Sequence, residues 1–207
     1  MKLRGLYAIT PDCADSALLI GRAGQALSGG IAALQYRNKL AGQEQRVLEA
    51  TALATKCRER RVPFIVNDDV ALALESGADG VHLGRDDGDL AAARAKLRGK
   101  LLGVSCYNSL AAARAAVATG ADYIAFGSVF PSPTKPAALR APLALFGEAR
   151  SLGVPLVAIG GITLDNAPQL LLAGADCLAV ISDLFDAPDI AERARSYGKL
   201  WAHEIAQ

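Results

Sequence analysis

Carboxylate and amide side chains follow two apolar segments in the first half of the chain. Asn67 and Asp68 come directly after the run PFIV, and Asp87 follows the run GVHLG after two intervening residues. Hard divalent cations such as Mg2+ bind one or two carboxylates, keep several water molecules and contact phosphate oxygens. We therefore expect Asp68 and Asp87 to bind a divalent metal. The alternative for such residues is to cap a following helix, which we favour for Asp69.

Basic and amide groups follow another apolar segment, in the sequence QYRNK. Gln35, Arg37 and Lys39 occupy alternate positions, and alternate residues of a strand share one face. Two cations brought together need anionic partners, because an unpaired buried charge is very costly. Together with a metal, they would neutralise a diphosphate. The alternative is a solvated charge cluster at the end of a strand.

A second anion site is predicted near the end of the chain. Gly160 and Gly161 follow one apolar run, and Ile181 and Ser182 follow the next. Glycines allow close approach of the backbone, and backbone N–H groups at such positions often bind phosphate in α/β barrels. A plain tight turn is the alternative. Two anion sites, of which one has a metal, predict two phosphorylated ligands or one that is phosphorylated twice.

An internal repeat predicts how these residues are positioned. Gly-Ala-Asp precedes an apolar run at 77–79, 120–122 and 174–176, and each copy follows an Ala/Leu-rich helical stretch. The glycine fits the end of a helix, where a left-handed residue is needed, and the continuous apolar run fits a buried parallel strand. The chain is thus expected to alternate strands with helices.

The predicted boundaries give eight such units over residues 1–207. The strands are expected near 6–10, 31–37, 63–67, 80–83, 101–105, 122–127, 155–160 and 177–182. The helices are expected near 16–28, 42–60, 70–76, 89–97, 109–119, 142–152, 164–173 and 188–205. Eight units without a domain-sized gap favour one α/β domain, a (β/α)8 TIM barrel, over an open doubly wound sheet. In such a barrel, the residues just past the strands meet at one end, which we call the mouth.

Composition limits the partners and the location of the protein. The formal net charge is +1 over 207 residues, which gives no electrostatic reason to bind nucleic acid or an acidic membrane. No apolar stretch approaches the roughly 20 residues of a membrane span, and no export signal is recognisable. The four cysteines are scattered and are expected to be reduced. We therefore expect small-molecule partners and a cytoplasmic location; the oligomeric state is not readable from the sequence.

Motifs along nearly the whole chain resemble the thiamine-phosphate synthase family. They are LYAIT, QYRNK, VND, GVHLG followed by Asp87, GVS, FPSPTK, VAIGGI and VIS, in the order of the family. The resemblance implies a (β/α)8 barrel. It also implies a Mg2+-dependent reaction that joins a hydroxymethylpyrimidine diphosphate to a thiazole phosphate, giving thiamine phosphate and pyrophosphate.

The resemblance also assigns residues to each substrate. The implied Mg2+ ligands are Asp68 and Asp87. The implied pyrimidine-diphosphate binders are Gln35, Arg37, Lys39, Asn67, Ser105 and Lys135. Four of these are taken as catalytic: Arg37, Lys39, Ser105 and Lys135. The implied thiazole-phosphate binders are Ser132, Thr134, Gly161, Ile181 and Ser182.

Two departures from the family and two alternative functions accompany the resemblance. Ser132 stands in place of the usual threonine, and Cys106-Tyr107-Asn108 replaces a histidine-containing stretch. No nucleophilic triad is recognisable, and His82 is expected to be structural or to support a neighbouring binding residue. The alternatives are a thiazole tautomerase with the same barrel, which needs no diphosphate site, and a sensor of phosphorylated metabolites without turnover.

Overall fold

Eight parallel strands form a closed barrel in the computed structural model, which describes residues 3–84, 87–131 and 140–204. Each strand pairs with the next in the sequence, and β8 closes the barrel against β1. The strands are β1 (Gly5–Ile9), β2 (Ala33–Tyr36), β3 (Phe64–Asn67), β4 (Gly80–Leu83), β5 (Leu101–Tyr107), β6 (Tyr123–Gly127), β7 (Leu156–Ile159) and β8 (Cys177–Val180). The predicted (β/α)8 architecture is confirmed.

Helices follow the strands and surround the barrel. They are α1 (Ser16–Ser28), α2 (Gln43–Arg60), α3 (Val70–Glu75), α4 (Leu90–Lys96), α5 (Leu110–Ala118), α6 (Ala144–Ala149), α7 (Ala167–Ala173), α8 (Ser182–Phe185) and α9 (Ile190–Glu204). One large apolar core lies between strands and helices, and a smaller one fills the barrel interior around Tyr7, Ile65 and Tyr123. The interior is therefore packed, and ligands are restricted to its ends.

The Gly-Ala-Asp repeat has the conformation that the sequence predicts and one role that it does not. Gly77, Gly120 and Gly174 all have positive φ at the ends of helices. Each aspartate of the repeat lies just before a strand and accepts a hydrogen bond from a backbone N–H near the start of the neighbouring, earlier strand of the barrel. The bonds are Phe64 N to Asp79 (2.8 Å), Leu102 N to Asp122 (2.7 Å) and Leu156 N to Asp176 (2.9 Å).

Three element boundaries differ from the prediction in ways that affect the site. β2 ends at Tyr36, so Arg37 and Lys39 lie beyond the strand. β5 continues to Tyr107 through an irregularity between Ser105 and Tyr107. Residue 182, predicted to end a strand, instead begins the four-residue helix α8. Period-two patterning cannot show where a strand gives way to a loop, which explains the first of these errors.

The predictions for the cysteines and for the last helix agree with the described residues. The cysteines are free, and Cys57, Cys106 and Cys177 are buried. Tyr197 and Trp201 pack α9 against the core. Within the described ranges, no helix has the length and apolar character needed to cross a bilayer.

Candidate active site at the barrel mouth

A cavity of about 350 Å3 opens where β2 and β3 end. Its lining combines cations, amides and a carboxylate: Tyr36, Arg37, Asn38, Lys39, Ala41, Arg46, Asn67 and Asp68. The structure therefore brings four of the predicted site residues together, namely Arg37, Lys39, Asn67 and Asp68. Arg46 on α2 adds a further cation that the sequence did not indicate. Its guanidinium pairs with the Asp69 carboxylate at 3.0 Å.

The loop after β2 is held in place by two residues that follow β1. The Thr10 hydroxyl donates to the carbonyl of Arg37 and accepts from its N–H, both at 2.8 Å. Asp12 accepts the Lys39 N–H at 2.6 Å and pairs with the Arg37 guanidinium at 3.0 Å. Although burial raises the pKa of Asp12, these hydrogen bonds and charges lower it overall, so its carboxylate is ionised. Asp12 therefore fixes both the backbone and the charge of this loop.

A buried carboxylate on α2 holds the same loop through hydrogen bonds. Glu49 is fully buried and accepts hydrogen bonds from the side chains of Tyr36 (2.6 Å), Ser16 (2.7 Å), Gln45 (2.9 Å) and Asn38 (3.0 Å). Burial raises its pKa, but the hydrogen bonds outweigh burial and hold the pKa below its ordinary value. Asn38 lies between the two cations in the sequence, so Glu49 ties their loop to helix α2.

Replacing Glu49 by Gln should destabilise the protein by about 2 to 4 kcal/mol. The amide keeps the volume of the side chain, but one of its two acceptor oxygens becomes a donor that faces other donors. Urea unfolding measures this loss. Glu44→Gln, on the exposed first turn of the same helix, is the matched control. Equal stability of the two variants would contradict the role of Glu49.

Asp68 and Asp87 lie side by side across neighbouring strands. The Asp68 N–H donates to the carbonyl of His82 at 2.9 Å, and the carboxyl group of Asp87 is close enough to that of Asp68 to raise its pKa. Asp87 also accepts the Gly84 N–H at 2.6 Å. Burial, and then contact with Asp87, raises the pKa of Asp68 to about 6, while Lys39 and Asn67 lower it. Two carboxyl groups held this close form a site that a cation would stabilise.

Tyr107 lies beside this carboxylate pair. A Cβ atom built on Gly84 would stand 2.8 Å from Asp87 Oδ2 and 3.3 Å from the Tyr107 hydroxyl oxygen, so any larger residue at 84 would crowd both. Tyr107 belongs to the stretch that departs from the family. The departure therefore places a phenol next to the predicted metal site.

Gln35 and Ser105 are oriented by buried side chains. Gln35 is buried inside the barrel and does not line the cavity, whereas Arg37 and Lys39 lie beyond the end of β2. Its amide donates to the Tyr7 hydroxyl at 3.0 Å. Ser105 is partly exposed and lies 2.8 Å from Nε2 of His82. Burial lowers the pKa of His82 to about 4, against the influence of Asp87, so the ring is neutral at pH 7.

The predicted second anion site lies at the ends of β7 and β8. Gly160 and Gly161 have φ values of 108° and 63°. A Cβ atom on Gly161 would overlap the carbonyl oxygen of Pro131, so Phe130 and Pro131, shortly after β6, pack directly on this glycine. Ile181 precedes α8 and its carbonyl accepts the N–H groups of Leu184 and Phe185, which leaves Ser182 at the start of the helix.

Three of the predicted site residues cannot be placed. Ser132, Thr134 and Lys135 lie outside the described residues. The described part of the mouth still separates into two regions: the charged cavity with the carboxylate pair on β2 to β4, and the glycine-rich turn with Ser182 on β7 and β8.

A profile of the family described as thiamine monophosphate synthase matches residues 6–184, which is most of the chain. The chain belongs to this family. The predicted resemblance and the predicted enzyme class, a transferase, are thereby confirmed. The match covers all eight strands, and so both regions of the mouth.

Individual relatives agree with the family. The chain is 58% identical to a thiamine-phosphate synthase of Aromatoleum aromaticum over 202 residues, which cover 97% of each protein. It is 56% identical to one of Methylobacillus flagellatus over 200 residues, or 96% of each. A solved thiamine phosphate pyrophosphorylase of Pyrococcus furiosus superposes with a TM-score of 0.86 at 36% identity, covering 98% of this chain and 96% of that one.

Proposed function

We propose that this protein forms thiamine phosphate by joining a hydroxymethylpyrimidine diphosphate to a thiazole phosphate, with Mg2+ bound by Asp68 and Asp87. Family membership gives the synthesis of thiamine phosphate by a transferase acting on small molecules. The metal, the residue roles and the division of the mouth are our proposal, as is a cytoplasmic location.

The closeness of Asp68 and Asp87, which lets Asp87 raise the pKa of Asp68, is the observation that carries the metal assignment. No group of three or more metal-binding side chains occurs among the residues that the structure describes. Two carboxylates nevertheless suffice for Mg2+, since it keeps several waters and takes its remaining ligands from phosphate oxygens. The cations of Arg37 and Lys39, in the same cavity as Asp68, supply the positive charge that a diphosphate requires.

The residues of the mouth favour a dissociative reaction. The bond between the pyrimidine methylene and the diphosphate oxygen breaks, and its electron pair leaves with pyrophosphate. The thiazole nitrogen then donates its lone pair to the methylene carbon. Mg2+ would neutralise negative charge on the leaving group. Arg37, Lys39 and Ser105, together with Lys135, which lies outside the described residues, would bind the same diphosphate. Ser132, Thr134, Gly161, Ile181 and Ser182 would bind the thiazole phosphate. Such a role is positional and electrostatic, and it needs no protein nucleophile.

One assay separates this function from its alternatives. The protein is incubated with both substrates and Mg2+, and pyrophosphate release and thiamine phosphate are followed together. We expect both products, and expect both to disappear with a chelator. A thiazole tautomerase would change the thiazole alone, and a metabolite sensor would bind without turnover. Either of these results would remove the proposal.

The affinity for Mg2+ should depend on pH through the carboxylate pair. The pKa of Asp68 rises from 3.8 to about 6 in the folded protein, so a proton occupies the pair at acid pH and competes with the metal. Below pH 6 the Kd for Mg2+ should rise about tenfold per pH unit, and above pH 7 it should be constant. Calorimetric titration at fixed ionic strength measures this, and a constant Kd between pH 7 and 5 would contradict it.

The same shift predicts how the metal-free protein responds to pH. Between about pH 4 and 6, Asp68 keeps its proton in the folded state and has lost it in the unfolded state. The contribution of Asp68 to the free energy of unfolding should therefore decrease as the pH rises through this range. Saturating Mg2+ should restore this stability at pH 7, since it binds the ionised pair in the folded state only.

A further inference from the structure

Five side chains form a continuous hydrogen-bonded network through the barrel interior. Gln35 lies 3.0 Å from the Tyr7 hydroxyl, which lies 2.7 Å from the Tyr123 hydroxyl. Tyr123 in turn lies 3.1 Å from Nδ1 of His82, whose Nε2 lies 2.8 Å from the Ser105 hydroxyl. These residues come from five strands, β1, β2, β4, β5 and β6. We call them the interior network.

The network is built to hold these hydroxyl groups and leaves little room for water. Tyr7 and Tyr123 are each 1% exposed, and their rings meet edge to face. His82 stacks on Tyr123 with ring centroids 5.6 Å apart. Gly103, two residues before Ser105, makes space for the Tyr123 ring, because a Cβ atom at this position would overlap it. The packing therefore fixes the positions of the rings. What remains open is which group of each hydrogen-bonded pair carries the hydrogen.

The amide of Gln35 begins the hydrogen bonds of the network, and the buried hydroxyl hydrogens, which each need an acceptor, fix their direction. Its N–H group donates to Tyr7, so the only hydroxyl hydrogen of Tyr7 is available for Tyr123. No other acceptor lies near the buried Tyr7 hydroxyl among the described residues, and a buried hydrogen without an acceptor is costly, so Tyr7 donates to Tyr123. Tyr123 then gives its own hydrogen to Nδ1 of His82, which accepts it. The hydrogen of the neutral imidazole is consequently on Nε2 and is donated to Ser105. Ser105 accepts this bond, and its own hydroxyl hydrogen remains unused by the network.

We propose that Tyr123 is a positioning residue that fixes His82 as the Nε2–H tautomer and so leaves Ser105 free to donate its hydrogen to the pyrimidine diphosphate. The inference rests on the proposed function, in which Ser105 binds this substrate. Anionic oxygens accept hydrogen bonds and offer none, so only a serine whose hydrogen is uncommitted is suited to them. In the opposite tautomer, Nε2 of His82 would be an acceptor, and Ser105 would donate its hydrogen to it instead.

The tautomer can be observed directly in the protein without substrates. The chain has two histidines, His82 and His203, so a two-dimensional 1H–15N spectrum of the imidazole rings is readily assigned with the variant His203→Gln. At neutral pH we expect the hydrogen of His82 on Nε2. A hydrogen on Nδ1 would overturn the inference. Because this spectrum involves no turnover, its outcome is independent of whether pyrophosphate is released in the enzyme assay.

A double-mutant cycle tests whether Tyr123 acts through Ser105. Tyr123→Phe keeps the ring and removes the hydroxyl, so it should lower kcat/KM for the pyrimidine diphosphate about tenfold and release the His82 tautomer. In a Ser105→Ala background the same change should have no further effect on kcat/KM. Additive losses would show that Tyr123 acts on the barrel as a whole, and would overturn the positioning role.

Tyr7→Phe is the matched comparison within the interior network. It removes a hydroxyl of equal burial and leaves Nδ1 of His82 as the one acceptor among the described residues for the buried Tyr123 hydrogen, so Tyr123 should still donate to His82. The Nε2–H tautomer should therefore be retained in Tyr7→Phe and lost in Tyr123→Phe. If both variants retained the Nε2–H tautomer, the inference would be contradicted. If Tyr123→Phe does not fold, the spectrum of the unmodified protein still decides.

Discussion

Replacing Asp87 by Asn should reduce kcat/KM for the pyrimidine diphosphate by about a hundredfold to a thousandfold. The amide keeps an oxygen that can accept the Gly84 N–H, so the local backbone is preserved, but the negative charge is removed. Asp68 is then left as the only carboxylate of the pair, and Mg2+ should bind at least about tenfold more weakly. Calorimetric titration and steady-state kinetics measure the two effects.

The affinity for the thiazole phosphate separates a local effect of Asp87→Asn from a general one. The proposed thiazole-phosphate residues Gly161 and Ser182 follow β7 and β8, across the barrel from the carboxylate pair, so this affinity should change little. Asp89→Asn is the matched control, because Asp89 caps α4 through Ala91 and Ala92, and Asn caps helices equally well. Equal losses of affinity for both substrates in Asp87→Asn would show that the mouth is divided differently.

Arg37→Ala should lower kcat about a hundredfold by removing a cation from the leaving group. Arg37 lines the same cavity as Lys39 and Asp68, and Asp12 holds its guanidinium in place. The loss should appear in kcat more than in KM, since negative charge on the pyrophosphate increases as the bond breaks. Arg37→Lys retains the charge without the planar fork and should recover part of the rate.

A distant arginine on the adjacent helix provides the control for Arg37→Ala. Arg60 ends α2 at the far side of the barrel, and its replacement by Ala removes the same charge from the protein. The rate of Arg60→Ala should equal that of the unmodified protein. An unchanged kcat in Arg37→Ala, or an equal fall in both variants, would refute the assigned role.

The barrel could be predicted because its signals are local and repeated. Each Gly-Ala-Asp copy marks the end of a helix and the start of a buried strand, and the glycines at 77, 120 and 174 have the required positive φ. The boundaries at the mouth were harder to predict. The end of β2 at Tyr36 and the start of α8 at Ser182 are determined by tertiary contacts, such as those of Asp12 with the loop after β2.

Four polar residues that line the cavity could also be predicted from the sequence, whereas the residues that support them could not. Arg37, Lys39, Asn67 and Asp68 follow apolar runs, and residues after parallel strands meet at the mouth. Glu49 has no such signal, because a glutamate within a polar helix is usually exposed and only the donors around it explain its burial. Tyr7 and Tyr123 likewise resemble ordinary strand aromatics, and their network exists only once the barrel closes.

The most direct test is the position of the metal in a crystal of this protein grown with Mn2+ and pyrophosphate. Manganese replaces magnesium at oxygen ligands and is located by its anomalous scattering. We predict one peak between the carboxylates of Asp68 and Asp87, with pyrophosphate bound to the metal and to Arg37 and Lys39. A metal bound elsewhere, or pyrophosphate at Gly161 and Ser182 with the carboxylate pair metal-free, would contradict the proposed division of the mouth.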